Sequence, residues 1–220
     1  MATRPVPFAL HNAHELSRWA FRAWFIGRNV VPRRYRELYE GHLHIAGQMW
    51  FEDRRVLYDT VRRLRPRRCF EVGTWRGGGS TLVIARALHD NGAGMLHTIE
   101  THEESHVAAV EGYKKHVPQL APFVTFHLGD YRDFFPAILE REGGVDFFVL
   151  DGAEDGAQTV EQFEFFDAHA HSGSELFAHD WETEKTRLLR PALEDTERWT
   201  VRTTAGPPKS VGLAVAARTG

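Results

Sequence analysis

Four short segments of this chain end β-type runs with glycines or acids. They are Glu71-Val72-Gly73-Thr74-Trp75-Arg76-Gly77-Gly78-Gly79-Ser80, Ile99-Glu100, Gly129-Asp130 and Asp151-Gly152. Glycines let the backbone come close to a ligand, and the helix that Ser80 opens offers free N–H groups. A carboxylate 29 residues beyond Glu71, at Glu100, can accept hydrogen bonds from both hydroxyls of a ribose. Acids repeated along one rim repel each other, which a purely structural sheet has no reason to accept. A ligand with a nucleoside end and a cationic end would draw on all of them.

The elements that must position these segments follow from the pattern. Short β-type runs fall at Cys69–Val72, Met95–Ile99, Val124–Leu128, Asp146–Leu150 and Glu175–Ala178. Between them, Ser80–His89, Glu103–His116, Tyr131–Glu140 and Gln158–Ala170 are long enough for crossover helices. Alternation at this spacing predicts a parallel sheet covered on both faces. Phe147-Phe148-Val149-Leu150 is apolar without alternation, as a central strand requires. After a helix near Lys185–Asp195, two late strands at Trp199–Thr203 and Val211–Ala216 flank Gly206-Pro207-Pro208. They predict an antiparallel pair at the sheet's end. Upstream, helices are expected from about Asn12 to Ile26 and from Gln48 to Leu64, the second closed by Pro66. The expected architecture is therefore α/β: a doubly wound, mostly parallel seven-stranded sheet with an antiparallel C-terminal strand. A helical N-terminal cap over residues 1–66 precedes a nucleoside-binding domain over residues 67–220.

In such a sheet ligands bind beyond the carboxyl ends of the strands. The loop spacing Gly73-x-x-x-Gly77-x-Gly79 departs from the dinucleotide fingerprint G-x-G-x-x-G, and Glu71 sits poorly beside a pyrophosphate. S-adenosylmethionine, with an ammonium, a sulfonium and no phosphate, fits better. The segment Glu71–Ser80, with His97-Thr98-Ile99-Glu100, Leu150-Asp151-Gly152 and His179-Asp180-Trp181, resembles the motifs of class I S-adenosylmethionine-dependent methyltransferases. The likeness is to the small-molecule O-methyltransferase branch that includes catechol O-methyltransferase and the macrolide-sugar and cephamycin-pathway enzymes. It runs from about Gly47 to the C-terminus.

The resemblance implies roles. Glu71, Gly73 and Ser80 would hold the methionine end, with Thr74, Trp75 and Gly77 in the loop beside it. Glu100 would hold the ribose, and Gly129 and Asp130 would flank the adenine. Asp151 would lie near the transferring methyl, touching the amine or, with Asp180, binding Mg²⁺. The family's third metal oxygen is absent here, since Gly152 and Trp181 stand beside the two aspartates. Two carboxylates and waters can still hold Mg²⁺. Where relatives place a Lys or His as general base, this chain has Glu154, and His179 is the other candidate base. The expected reaction moves a methyl to a hydroxyl of a phenol, catechol or sugar. A cofactor-binding module without turnover, and a nicotinamide-dependent oxidoreductase on a similar sheet, remain alternatives.

Composition narrows the classes further. Hydrophobic residues are 42% and charged residues 26%, ordinary for a globular protein and wrong for collagen or disorder. A single cysteine, Cys69, excludes a disulfide framework and fits a cytoplasmic, reducing setting. No run is long and apolar enough for a membrane span, and no signal peptide is expected. Residues 1–68 carry 14 basic against 6 acidic side chains, and the remainder 13 against 24. A basic front can meet an anionic partner, or it can complement an acidic body. No RNA-binding module or amino-methylation motif is present, so no nucleic-acid partner is expected. The expected partners are a small-molecule acceptor and a second copy, joined through the aromatic N-terminal segment around Trp19 and Trp24.

Overall fold

The computed structural model describes residues 44–194, 197–206, 210 and 212–220. Helix α1 (Phe51–Leu64) leads into β1 (Arg68–Val72), α2 (Ser80–Asn91), β2 (Met95–Glu100) and α3 (Glu103–His116). Then come β3 (Val124–Leu128), α4 (Tyr131–Glu142), β4 (Val145–Leu150), α5 (Gly156–Asp167) and β5 (Ala170–His179). Helix α6 (Leu189–Glu194), β6 (Trp199–Ala205) and β7 (Leu213–Arg218) complete the order. The strands form one seven-stranded sheet in the order β3-β2-β1-β4-β5-β7-β6. Strands β1 to β5 pair in parallel, and β7 runs antiparallel between β5 and β6. Both the doubly wound sheet and the antiparallel end match the sequence expectation.

Alternation within buried strands builds two cores. Phe147 and Val149 of β4 join Cys69, Leu57, Val61, Val83 and Leu88 on one face, under α1 and α2. Phe148 and Leu150 turn to the other face with Phe70, Phe135, Phe166 and Trp199, under α4 to α6. Successive side chains of a strand point to opposite faces, so one apolar run without polar interruptions serves both.

The described part of the basic front is bound to the body. Arg63 and Arg202 both pair with buried Glu175. Arg62 donates to Asn91, and Arg54 reaches the Gly78 carbonyl. Arg68 holds Asp146, whose pKa settles at about 2 because hydrogen bonds from Arg68, His171 and the backbone outweigh its burial. These arginines complement the acidic body as structural groups.

Some bounds differ from expectation. Helix α1 begins at Phe51 rather than Gln48, and residues 46–50 run as an irregular segment. The single helix expected at 185–195 is divided into a 3-10 turn, Glu184–Thr186, and the short α6. Pro191 lacks an N–H, which a first helical turn tolerates, and it is the third residue of the helix that starts at Leu189. The helix expected over 12–26 and the Pro207-Pro208 turn lie outside the described residues. Among the described residues, no helix is long and apolar enough to cross a membrane.

Candidate active site

The loop after β1 is fixed by its backbone. Gly73 and Thr74 both donate their N–H to the Ile99 carbonyl at 3.0 and 3.1 Å, which ties the loop to the end of β2. Trp75 takes a left-handed φ of +48°, and its N–H donates to Glu100 Oε2 at 2.7 Å. Gly78 N–H donates to the Ala46 carbonyl at 2.9 Å. The segment before α1 is thereby stitched across the loop.

A cavity of about 780 Å³ opens at the carboxyl ends of β1, β2, β4 and β5, at the point where strand order reverses between β1 and β4. That is where open α/β sheets bind ligands, and the volume suits a molecule of nucleoside size. Its lining includes Gly73, Thr74, Trp75, Ser80, Glu100, Gly129, Asp130, Asp151, Glu154, His179 and Asp180. All of these are residues the sequence marked. Both Glu100 oxygens accept backbone N–H groups, from Trp75 and from His102 at 2.9 Å, so the carboxylate is oriented before any ligand arrives. Asp130 caps α4 by accepting from Arg132 N–H and pairs with the Arg132 guanidinium, which holds its pKa below the ordinary value.

Two expected cofactor residues stand behind the wall rather than in it. Gly77 packs toward α3, where a Cβ would meet Ala109 and Tyr113 at 3.2 Å. Glu71 is fully buried and accepts from Thr81 Oγ1 at 2.6 Å and Thr98 Oγ1 at 2.7 Å. Its other oxygen has no partner among the described residues. Its place is beneath the loop, bracing α2 and β2, because its position within β1 turns it into the sheet's packed layer. Burial raises its pKa from 4.5 to about 7, against hydrogen bonds from Ser80, Thr81 and Thr98 that lower it. The unfolded carboxyl ionises first, so this group's destabilisation is absent below pH 4.5 and complete above about pH 7. Glu71→Gln should therefore gain on the wild type by on the order of 3 kcal/mol between pH 4.5 and 7.5. Urea unfolding of both proteins across that range measures it. A stability difference that does not change with pH would contradict the assignment.

Beyond β4 and β5 lies a chain of charges. His179 Nδ1 faces Asp151 Oδ1 at 3.1 Å and Asp180 Oδ1 at 3.5 Å, while Nε2 faces Asp53 Oδ2 at 3.2 Å. Asp53 belongs to α1 and is 0% exposed. Ionised carboxylates only accept, so both ring nitrogens must carry protons. Burial alone would lower the His179 pKa. The charge and hydrogen bond of Asp151, the hydrogen bond to Asp53 and the charge of Asp180 outweigh it and push the pKa up to about 10. Three facing carboxylates favour a charged ring that holds the site together over the general base expected from the sequence. Asp151 in turn is held below its ordinary pKa by His179 and Lys185 despite its burial. Lys185 Nζ donates to the Asp151 carbonyl at 2.6 Å and to Asp180 Oδ2 at 3.2 Å, and lies 3.6 Å from Asp151 Oδ1. Asp180 itself has a left-handed φ of +59°. Glu154 stands exposed on the rim.

Sequence reading missed Asp53 and Lys185. Asp53 carried a signal: Asp53, Leu57 and Val61 are spaced by four, which places an acid in the buried stripe of α1. Lys185 carried none, because only the turn after Asp180 brings it back to Asp151.

A seven-stranded sheet of this order, with a cavity at its switch point, is the architecture of class I S-adenosylmethionine-dependent methyltransferases. Residues 70–181, a little over half the chain, match the family model described as a methyltransferase domain. The chain belongs to that family. Solved structures share the fold. The O-methyltransferase TomG from Streptomyces achromogenes, involved in tomaymycin synthesis and solved with S-adenosylmethionine, is 21% identical with a TM-score of 0.67. The likeness covers 94% of this chain and 100% of that one. An O-methyltransferase from Bacillus cereus, in complex with S-adenosylhomocysteine, is 18% identical over 90% of this chain and 97% of that one, with a TM-score of 0.68. The S-adenosylhomocysteine-bound methyltransferase PaMTH1 of Podospora anserina is 16% identical over 94% and 97%, with a TM-score of 0.62. Among curated proteins, none matches the chain.

Proposed function

We propose that this chain transfers a methyl group to a hydroxyl of a small molecule. The observation that carries the reading is the cavity's lining. Asp130 is paired with Arg132, and Asp151 and Asp180 with His179 and Lys185, whereas Glu100 is oriented into the cavity by backbone N–H groups, and the loop that would cradle a phosphate lacks the dinucleotide spacing. A carboxylate with lone pairs left for two hydroxyls, beside a loop without phosphate spacing, favours a phosphate-free nucleoside. Glu100 would hold the ribose. Gly129 and Asp130 would flank the base, and Ser80 and Asp151 would lie about the methionine end. When bound, S-adenosylmethionine supplies a methyl on a sulfonium that departs as a neutral thioether.

The chain's own task is then to align one acceptor oxygen, exclude water and take one proton. Gln48, Met49 and Trp50 line the cavity from the segment stitched over the loop, which supports the reading of the N-terminal region as a lid. Glu154, exposed on the rim of the cavity, would accept the hydroxyl proton. The O-methyltransferases that share the fold, TomG among them, support oxygen as the acceptor atom.

Isothermal titration with S-adenosylmethionine and with S-adenosylhomocysteine tests the reading. Both should bind, and Glu100→Ala should weaken both by about ten- to a hundredfold, the worth of charge-assisted hydrogen bonds. Failure of the wild type to bind either nucleoside would end this assignment.

A further inference from the structure

Asp151 and Asp180 are the pair that the sequence offers to a divalent ion, and the fold does bring them together. With His179 they place one ligand atom each within 4.8 Å of the others. Yet that space already contains positive charge. We propose that the Lys185 ammonium is the site's own cation: it bridges Asp151 and Asp180, keeps a divalent ion out, and offers its remaining N–H to the acceptor oxygen. The last clause rests on the methyl-transfer reading above; the first two do not.

Lys185 is held in place at both ends. Thr183 caps the turn Glu184–Thr186 by accepting from Lys185 N–H. Thr186 Oγ1 donates to the Asp180 and Trp181 carbonyls at 2.9 and 3.0 Å. The segment from Asp180 to Thr186 is thus a closed loop that presents its first carboxylate and its lysine to the same point. The lysine side chain is only 17% exposed, so it is not a surface group folded in by chance. Two of its three N–H groups meet the Asp151 carbonyl and Asp180 Oδ2, and Nζ also lies 3.6 Å from Asp151 Oδ1.

A divalent ion does not fit this donor set. Mg²⁺ needs six oxygens at about 2.1 Å, and an ion at that distance from Asp180 Oδ2 would lie within about 5 Å of Nζ. The Asp151 oxygen that the ion would need also lies 3.1 Å from His179 Nδ1 and 3.6 Å from Nζ. An ammonium also changes the acceptor. A metal chelates two adjacent oxygens, whereas one N–H binds one. The acceptor class that follows is an isolated hydroxyl, such as a simple phenol, rather than a vicinal diol.

The test is a Mn²⁺ titration followed by electron paramagnetic resonance on wild type, Lys185→Ala and Lys185→Gln. S-adenosylhomocysteine affinity is measured on the same samples. Wild type should take up no Mn²⁺ at millimolar concentration, and the variants should bind it at least about tenfold more tightly. Tight Mn²⁺ binding by wild type, or no gain in either variant, would overturn the proposal. Absence of S-adenosylhomocysteine binding would instead reject the methyl-transfer reading and leave the Mn²⁺ comparison standing.

Discussion

A Gly152→Ala protein should lose about 3 kcal/mol or more of stability and most of its nucleoside affinity. The added Cβ would stand 2.3 Å from the Val72 carbonyl oxygen, 2.5 Å from its carbon and 2.8 Å from Gly73 N. All three are backbone atoms, so no rotamer change relieves the contact. They cannot move freely either, because Val72 and Leu150 are paired partners in the β1–β4 ladder. The approach is mutual: a Cβ on Gly73 would meet the Gly152 α-carbon at 2.6 Å, and Gly73 has a φ of +96°. Two loops that carry the site therefore cross with no side chain between them. Gly92→Ala is the control. It has a left-handed φ of +70°, which Gly152 does not, and nothing within 4 Å of its Cβ, so it should cost only about 1–2 kcal/mol of backbone strain. Urea unfolding and isothermal titration with S-adenosylhomocysteine measure both. A loss in Gly152→Ala no larger than that in Gly92→Ala would show that the crossing does not decide the effect.

That crossing also explains what the sequence made legible. Gly152 could be read as a motif letter, but its reason is a contact between loops 79 residues apart, which periodicity does not encode. The strands themselves were readable because each is a short apolar run whose two faces both meet protein, as in Phe147–Leu150. The acids at 100, 130, 151 and 180 were readable because strand order puts strand ends on one rim. Glu71 was read into the cavity and lies under it, since its place inside β1, with Val72 still to follow, turns it toward Thr81 and Thr98. His179 and Lys185 show the other limit. Their chemistry depends on which groups face them, and those partners come from α1 and from a turn whose closure only the folded chain supplies.

His179→Ala should destabilise the protein by about 3–5 kcal/mol, the cost of breaking a buried ion pair from one side. The ring links α1 to the strand ends, because Asp53 meets it on one nitrogen and Asp151 on the other. Without it, fully buried Asp53 faces Asp151 and Asp180 with no cation between them. Adding Asp53→Asn should recover part of the loss, since the uncompensated charge goes with it, and the two substitutions should couple by about 1–3 kcal/mol. The pH dependence separates this structural role from that of a base. A histidine whose folded pKa is raised from 6.5 to about 10 stabilises fully below pH 6.5 and loses that contribution as pH rises through 10. The stability gap between wild type and His179→Ala should thus be widest near pH 6 and narrow steadily toward pH 10. A general base would give the opposite pattern, with an unchanged unfolding midpoint and a loss confined to turnover. A gap that stays constant across this range would show that the ring carries no proton to lose, and with it the picture of a charged strut between α1 and the site would fall.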